Sequence, residues 1–269
     1  MTLPTADYTG RLSTVQARLQ SQNLDGLLVL GPANRRYLTG FTAADTAIGE
    51  SAGFVLVMSD RSVLLVSPLY IDQARHESVV AGPVELRSPF MEQLADRLRE
   101  WGLTRIAFER DYTLYGFYED LRAKLAETVE LVPVKDMVEP MRLRKDEAEL
   151  GLMREAARIA DEAFVRVTSD LQPGVTERML ARRLDEVMLE LGAEAASFET
   201  IVAAGANSAR PHHEPGDTPL NEGDPVVVDM GARYQGYCSD MTRSFCLRRA
   251  DERYSELYEL VSQAHDLAK

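Results

Sequence analysis

Two aspartates sit inside a stretch that otherwise reads as β-strand. In GDPVVVDMGARYQGYCSDMTRSF, residues 223–245, Asp229 and Asp240 fall within the runs VVVDMG and YCSDMTRSF. Burying a carboxylate in a sheet is costly unless something compensates its charge. The two runs join around Tyr234–Gln235. If that pair is the turn of a hairpin, Arg233 faces Gly236 and Asp229 lies directly opposite Asp240, on one face, with Cβ atoms about 5 Å apart. Like charges so placed repel and need a counterion. Tyr-Gln is a poor type I′ turn, and the alternative is a bulge at Gly236 that shifts the register by one. Two such carboxylates suit a pair of divalent ions roughly 3.5–4 Å apart. The competing reading leaves one aspartate in solvent at a hairpin edge and pairs the other with Arg243.

The chain of 269 residues suits one large or two ordinary domains. With 45% hydrophobic and 27% charged residues it has the composition of a soluble globular protein. A net charge of −13 opposes nonspecific binding to nucleic acid or anionic membrane. No apolar run is long enough to span a bilayer. The start, MTLPTADYTG, lacks the basic flank and apolar core of a secretory signal. Cys238 and Cys246 are too few for a disulfide framework, and strand-like sequence between them keeps them apart. Cys238, next to Ser239, is expected to be buried. The expected location is the cytoplasm.

Residues 1–137 alternate helix-like and strand-like segments. Val15, Leu19 and Leu24 follow a helical rhythm, GLLVL (26–30) is a short strand, and GFVLVMS and RSVLLVS are two strands joined at Asp60. A helix over 90–101, a strand at 105–108, a helix over 116–125 and a strand at 129–134 complete an α/β domain with some antiparallel pairing. It has neither a GxGxxG turn nor a phosphate loop. A second domain, 138–269, opens after Pro140 with Asp146 and Glu149 spaced as a capping box. Two amphipathic helices follow, the second capped by Thr176, then strand from 197 to 205, a loop with PHH (211–213), the aspartate region, and a final helix.

SFETIVAAGANSARPHHEPGD followed by EGDPVVVDMGARYQGYCSDMTRSF strongly resembles the creatinase/prolidase/aminopeptidase P metallopeptidases, the M24 "pita-bread" family. RYLTGF near the start and MRLRKDEAELGLMREAARIADEAF at the junction fit the same family, so the likeness spans almost the whole chain. Between 197 and 245 it is specific: Asn207, His212, Gly223, Asp224, Asp229, Gly231, Gly236, Tyr237, Ser239, Asp240, Thr242 and Arg243 match together. The implied fold is an α/β creatinase-like N-terminal domain followed by the first half of an α+β pita-bread catalytic domain.

The resemblance implies that Asp229 chelates one of two metals, that Asp240 bridges both, and that His212 lies beside them and hydrogen-bonds the substrate or the tetrahedral intermediate. Thr242 and Arg243 would support the carboxylates. The implied activity is hydrolysis of the bond before proline by a hydroxide held between two divalent ions, Mn²⁺ or Co²⁺ with Zn²⁺ a further option. Proline-containing peptides (aminopeptidase P-like) or Xaa-Pro dipeptides (prolidase-like) would be the substrates, and a homodimer the working form. The family draws one more histidine and two glutamates from downstream, whereas Asp240 is followed by 29 residues here. The expectation is a chain lacking the second half of its catalytic domain, with weak or absent metal binding and exposed apolar surface. The alternatives are an inactive pita-bread scaffold module and a creatinase-type amidinohydrolase, which retention of both aspartates disfavours. His213 would point to the opposite face from His212. Glu199 reads as structural, His76 as a surface helical residue, and the series Tyr112, Tyr115, Phe117 and Tyr118 as core or interface packing. Tyr37 and Phe41 read as structural, with substrate lining as the alternative.

Overall fold

The computed structural model describes residues 6–45, 47–79, 82–125 and 128–268. The chain forms two compact units, Thr5–Lys145 and Asp146–Lys269. The first runs α1 (Tyr8–Ser21), β1 (Gly26–Val29), α2 (Pro32–Thr39), β2 (Gly53–Met58), β3 (Ser62–Val66), α3 (Ile71–Glu77), β4 (Val84–Glu85), α4 (Phe90–Glu100), β5 (Arg105–Glu109), α5 (Tyr115–Leu125), β6 (Glu130–Val134) and α6 (Glu139–Leu143). Its six strands make one sheet in the order β4-β3-β2-β1-β5-β6. The β1–β2 and β2–β3 pairs are antiparallel and the others parallel.

The apolar runs of β2 and β3 show no alternation, and every residue in them is buried, as in sheets covered on both faces. Alternate residues serve opposite cores. Leu27, Val55 and Leu64 pack with Val15 and Leu19 of α1 and Leu38 of α2. Leu28, Leu56 and Leu65 pack with Leu94 and Leu98 of α4 and Leu121 of α5.

The second unit runs α7 (Glu147–Thr168), α8 (Glu177–Glu190), β7 (Ala195–Ala196), β8 (Ile201–Ala204), β9 (Pro225–Met230), β10 (Ala232–Tyr234), β11 (Tyr237–Cys238), β12 (Met241–Cys246) and α9 (Glu252–Ala268). Helix α7 begins with the expected capping box: Asp146 accepts from the Glu149 N–H at 2.8 Å, and the Glu149 carboxylate accepts from the Asp146 N–H at 3.0 Å. Two three-stranded sheets follow, β12-β9-β8 and β11-β10-β7. The strand expected across 197–205 is confined to Ile201–Ala204. The preceding residues bond elsewhere instead: Ser197 Oγ donates to Ser239 O at 2.8 Å and Thr200 Oγ1 to Asp185 Oδ1 at 2.6 Å.

Strand β9 alternates in burial. Val226, Val228 and Met230 pack on Ile159 of α7 and Leu184 of α8, so Val227 and Asp229 face the other way. Helix α9 has no buried residue and exposes Leu257, Tyr258, Leu260, Val261 and Leu267.

Candidate metal centre and the histidine loop

The hairpin turns at Gln235–Gly236, which both have positive φ, 45° and 77°, the requirement of a type I′ turn. Arg233 therefore pairs with Cys238 and Tyr234 with Tyr237. The same register continues into β9 and β12, where Thr242 lies opposite Asp229. Direct pairing of Asp229 with Asp240, expected from a Tyr234–Gln235 turn, does not occur, and neither does a one-residue bulge at Gly236. Glycine adopts positive φ at little cost, so the turn centres on Gly236 rather than before it. Every cross-strand partner then moves by two.

Thr242 Oγ1 donates to Asp229 Oδ1 at 2.8 Å. Asp240 precedes Thr242 by two residues, so strand alternation puts it on that same face, diagonal to Asp229. Diagonal neighbours in a ladder are about 7–8 Å apart. Asp229 is half-buried and Asp240 exposed. Arg243 lies opposite Val228, on the helix-packed face, and reaches Asp161 of α7 at 3.6 Å. Arg243 thus turns to Asp161, and neither the supporting role expected of it nor the alternative pairing with Asp229 or Asp240 is seen.

The chain between the aspartates is tightly tied. A Cβ on Gly231 would lie 2.0 Å from Ser239 O and 2.3 Å from Ser197 Oγ, so only glycine fits. Ser239 Oγ accepts from Ala232 N at 2.9 Å and donates to Ala156 O of α7 at 3.1 Å. Tyr237 Oη donates to Glu149 Oε1 at 2.8 Å. Cys238, expected to be buried, is exposed because it sits on the short outer strand β11. Cys246 is half-buried, and burial, with Asp251 and Asp224 nearby, pushes its thiol pKa up.

Among the described residues neither aspartate has an ion-pair partner, and no group of three or more His, Cys, Asp or Glu gathers where it could hold a metal. Uncompensated carboxylates on one accessible face fit a hard divalent cation in donor type. In number they supply two donors, where a catalytic site needs three or more.

His212 is exposed and makes no hydrogen bond among the described residues. His213 turns inward, its Nε2 lying 2.8 Å from Glu177 Oε2. Glu177, in the first turn of α8, is fully buried. Its carboxylate also accepts from Ala204 N at 2.8 Å, Asn207 Nδ2 at 3.0 Å and Gly216 N at 3.1 Å. Burial works to raise its pKa, but the hydrogen bonds from His213, Asn207, Ala204 and Gly216 outweigh it and hold the carboxyl below its ordinary range. Glu177 escapes a reading of the sequence because an acid just after an N-cap threonine is ordinary helix-dipole chemistry. Its partners lie 27 to 39 residues away.

His76 is exposed on α3, as expected, and Glu199 is exposed. In the first unit Phe41 is buried and Tyr37 lies under the Arg11 guanidinium at 3.9 Å, which are packing roles. Phe117 packs on Phe54 in the core, whereas Tyr115 is 75% exposed and packs on the surface against Tyr118.

The model of metallopeptidase family M24 matches residues 151–269, and that of the creatinase/prolidase N-terminal domain matches residues 11–144. An uncharacterized peptidase of Bacillus subtilis is 34% identical over 244 residues, an alignment spanning 91% of this chain and 67% of the relative. A Xaa-Pro dipeptidase of Pyrococcus horikoshii is 32% identical over 250 residues, spanning 93% of this chain and 68% of that protein. The solved structure of a Xaa-Pro dipeptidase from Bacillus anthracis matches with a TM-score of 0.88 at 31% identity, covering 96% of this chain and 70% of that one. The chain belongs to metallopeptidase family M24 and carries the creatinase/prolidase N-terminal domain. Among the described residues no helix is long and apolar enough to cross a membrane.

Proposed function

We propose that this chain contributes to a Xaa-Pro peptidase that hydrolyses the peptide bond preceding proline, in the prolidase or aminopeptidase P manner. The carrying observation is the shared open face of Asp229 and Asp240, with the Thr242 hydroxyl on Asp229 and, among the described residues, no ion pair to either aspartate. The Xaa-Pro dipeptidase names of the B. anthracis and P. horikoshii relatives support the substrate class.

Asp229 and Asp240 would hold two divalent ions, Mn²⁺ by its preference for oxygen donors or Co²⁺ as the family resemblance implies, with further donors from outside these 269 residues. Ions bound there would polarise the scissile carbonyl and make a water nucleophilic at neutral pH. The Thr242 hydroxyl holds Asp229 in one rotamer, which preserves the geometry of the pair. His212, unpaired and exposed, would donate its ring N–H to the carbonyl oxygen as negative charge develops there.

The test is metal content and Xaa-Pro dipeptide hydrolysis of the purified chain after incubation with Mn²⁺. Metal uptake lost in Asp229→Asn and Asp240→Ala supports the assignment. Metal uptake indifferent to both substitutions removes it.

A further inference from the structure

The connection from β8 to β9, residues 205–224, carries both histidines. It is strapped to the start of α8. Glu177 N donates to Thr218 O at 3.0 Å, Arg178 N to Gly216 O at 3.0 Å, and Leu220 N to Val175 O at 2.9 Å. Those backbone bonds fix the far end of the connection. Its histidine-bearing middle is gathered by one side chain, Glu177, whose four donors come from Ala204, Asn207, His213 and Gly216.

The carboxylate is fully buried and the His213 side chain only 10% exposed, so water cannot readily replace Glu177 as acceptor. With His213 committed to Glu177, the backbone at 212–213 is held. His212 is thereby left exposed and without a hydrogen-bond partner among the described residues.

We infer that Glu177 is a positioning residue, which locks His213 and so fixes where His212 presents its imidazole, an inference that rests on the proposed role of His212 beside the substrate. Glu177 does not reach the reacting atoms. It acts by closing a buried node that the loop would otherwise leave with four unmatched donors.

The experiment uses the full 269-residue chain, reading amide hydrogen exchange over 205–219 and kcat and KM on a Xaa-Pro dipeptide. Glu177→Ala and His213→Ala should each speed exchange in the loop about tenfold or more while amides of β9 and β12 keep wild-type rates. His213→Gln, whose side-chain amide can still donate to Glu177, should retain most of the protection. Glu177→Ala should lower kcat about tenfold with KM little changed, and cost nothing further in a His212→Ala background, as expected of two residues acting as one unit.

Unchanged loop exchange overturns the inference. So does a Glu177→Ala loss in kcat that persists undiminished in the His212→Ala background, since the residue would then act on stability alone. The parent reading fails separately, if turnover of the dipeptide is indifferent to His212→Ala; an inert wild-type chain is what donors lying outside these residues would give. Loop exchange then decides by itself whether Glu177 holds the histidines.

Discussion

The β2–β3 region of the first unit and the β8–β9 region of the second both contain apolar, valine-bearing strands, yet only the second sets acids on an open face. Every residue of β2 and β3 is buried between helices on both faces. In β9 burial alternates, so Val226, Val228 and Met230 serve the core while Asp229 looks out. An acid survives in the closed sheet only when its oxygens are consumed locally. Glu109, 5% exposed at the end of β5, accepts from Leu30 N and Gly31 N at 2.7 Å each and from Asn34 Nδ2 at 2.5 Å. Asp229 accepts one hydroxyl and keeps the rest of its lone pairs available. A sheet covered on one side can offer carboxylates to a ligand, and a sheet covered on both sides must neutralise them.

The largest effects should come from the open face. Asp240→Ala or Asp229→Asn should reduce Mn²⁺ binding or turnover by more than about 100-fold, beyond what loss of a supporting partner costs. Stability should stay within about 0.5 kcal/mol, as for surface substitutions. Titration calorimetry beside urea unfolding would separate the two. The closed sheet should behave in the opposite way: Leu56→Ala costs about 2–5 kcal/mol of stability and leaves metal binding untouched. Weakened metal binding in that variant would show that the two regions are not independent.

Gly231→Ala should fall between these extremes. The added methyl has nowhere to go between Ser239 O and Ser197 Oγ, so about 1–3 kcal/mol is lost, together with the spacing of the aspartates. Both losses are readable in one preparation by unfolding and Mn²⁺ titration. Normal binding with reduced stability would mean that the tie at Gly231 serves the fold alone.

The buried acids should give opposite pH responses. Glu177 has a depressed pKa in the folded state, so its contribution is present above the unfolded value and lost as pH falls through the folded one, below the ordinary carboxylate range. Glu109 is raised, first by burial and further by Glu139, against hydrogen bonds from Gly31, Asn34 and Leu30. Its unfolded form releases a proton more readily, so the first unit should lose stability as pH rises above the ordinary carboxylate range. Hydrogen exchange resolved by unit should show the crossing, and Glu109→Gln should flatten only the first unit's profile. The smallest effect is at the hairpin tip. Gln235→Asn places Asn-Gly in a turn that needs two positive φ values, and should stabilise by about 1 kcal/mol or less in a thermal melt.

Much of the first unit is legible in sequence because unbroken apolar runs mean buried strands and helical periodicity marks their covers. The capping box at Asp146 is equally local. Helix α2, which joins Pro32 to Thr39, is not legible, because fully buried Arg35 and Asn34 break the pattern of its buried face. In the candidate site, the acids and the histidine proposed for it, Asp229, Asp240 and His212, are visible in the motif. Their register is not, because it depends on which residue next to Gly236 takes positive φ. The orientation of Arg243 follows from that register, and the Glu177–His213 contact joins positions 36 apart, so no local spacing betrays either.

Paramagnetic broadening by Mn²⁺ on the isotope-labelled chain tests the central claim most directly, since it detects even weak binding and reports where the ion sits. At substoichiometric Mn²⁺, signals of Asp229, Asp240 and Thr242 should broaden first, those of β2 and β3 should not, and Asp240→Ala should abolish the effect. Broadening elsewhere, or at the aspartates but insensitive to Asp240→Ala, would contradict a metal site on the open face of the β9–β12 hairpin.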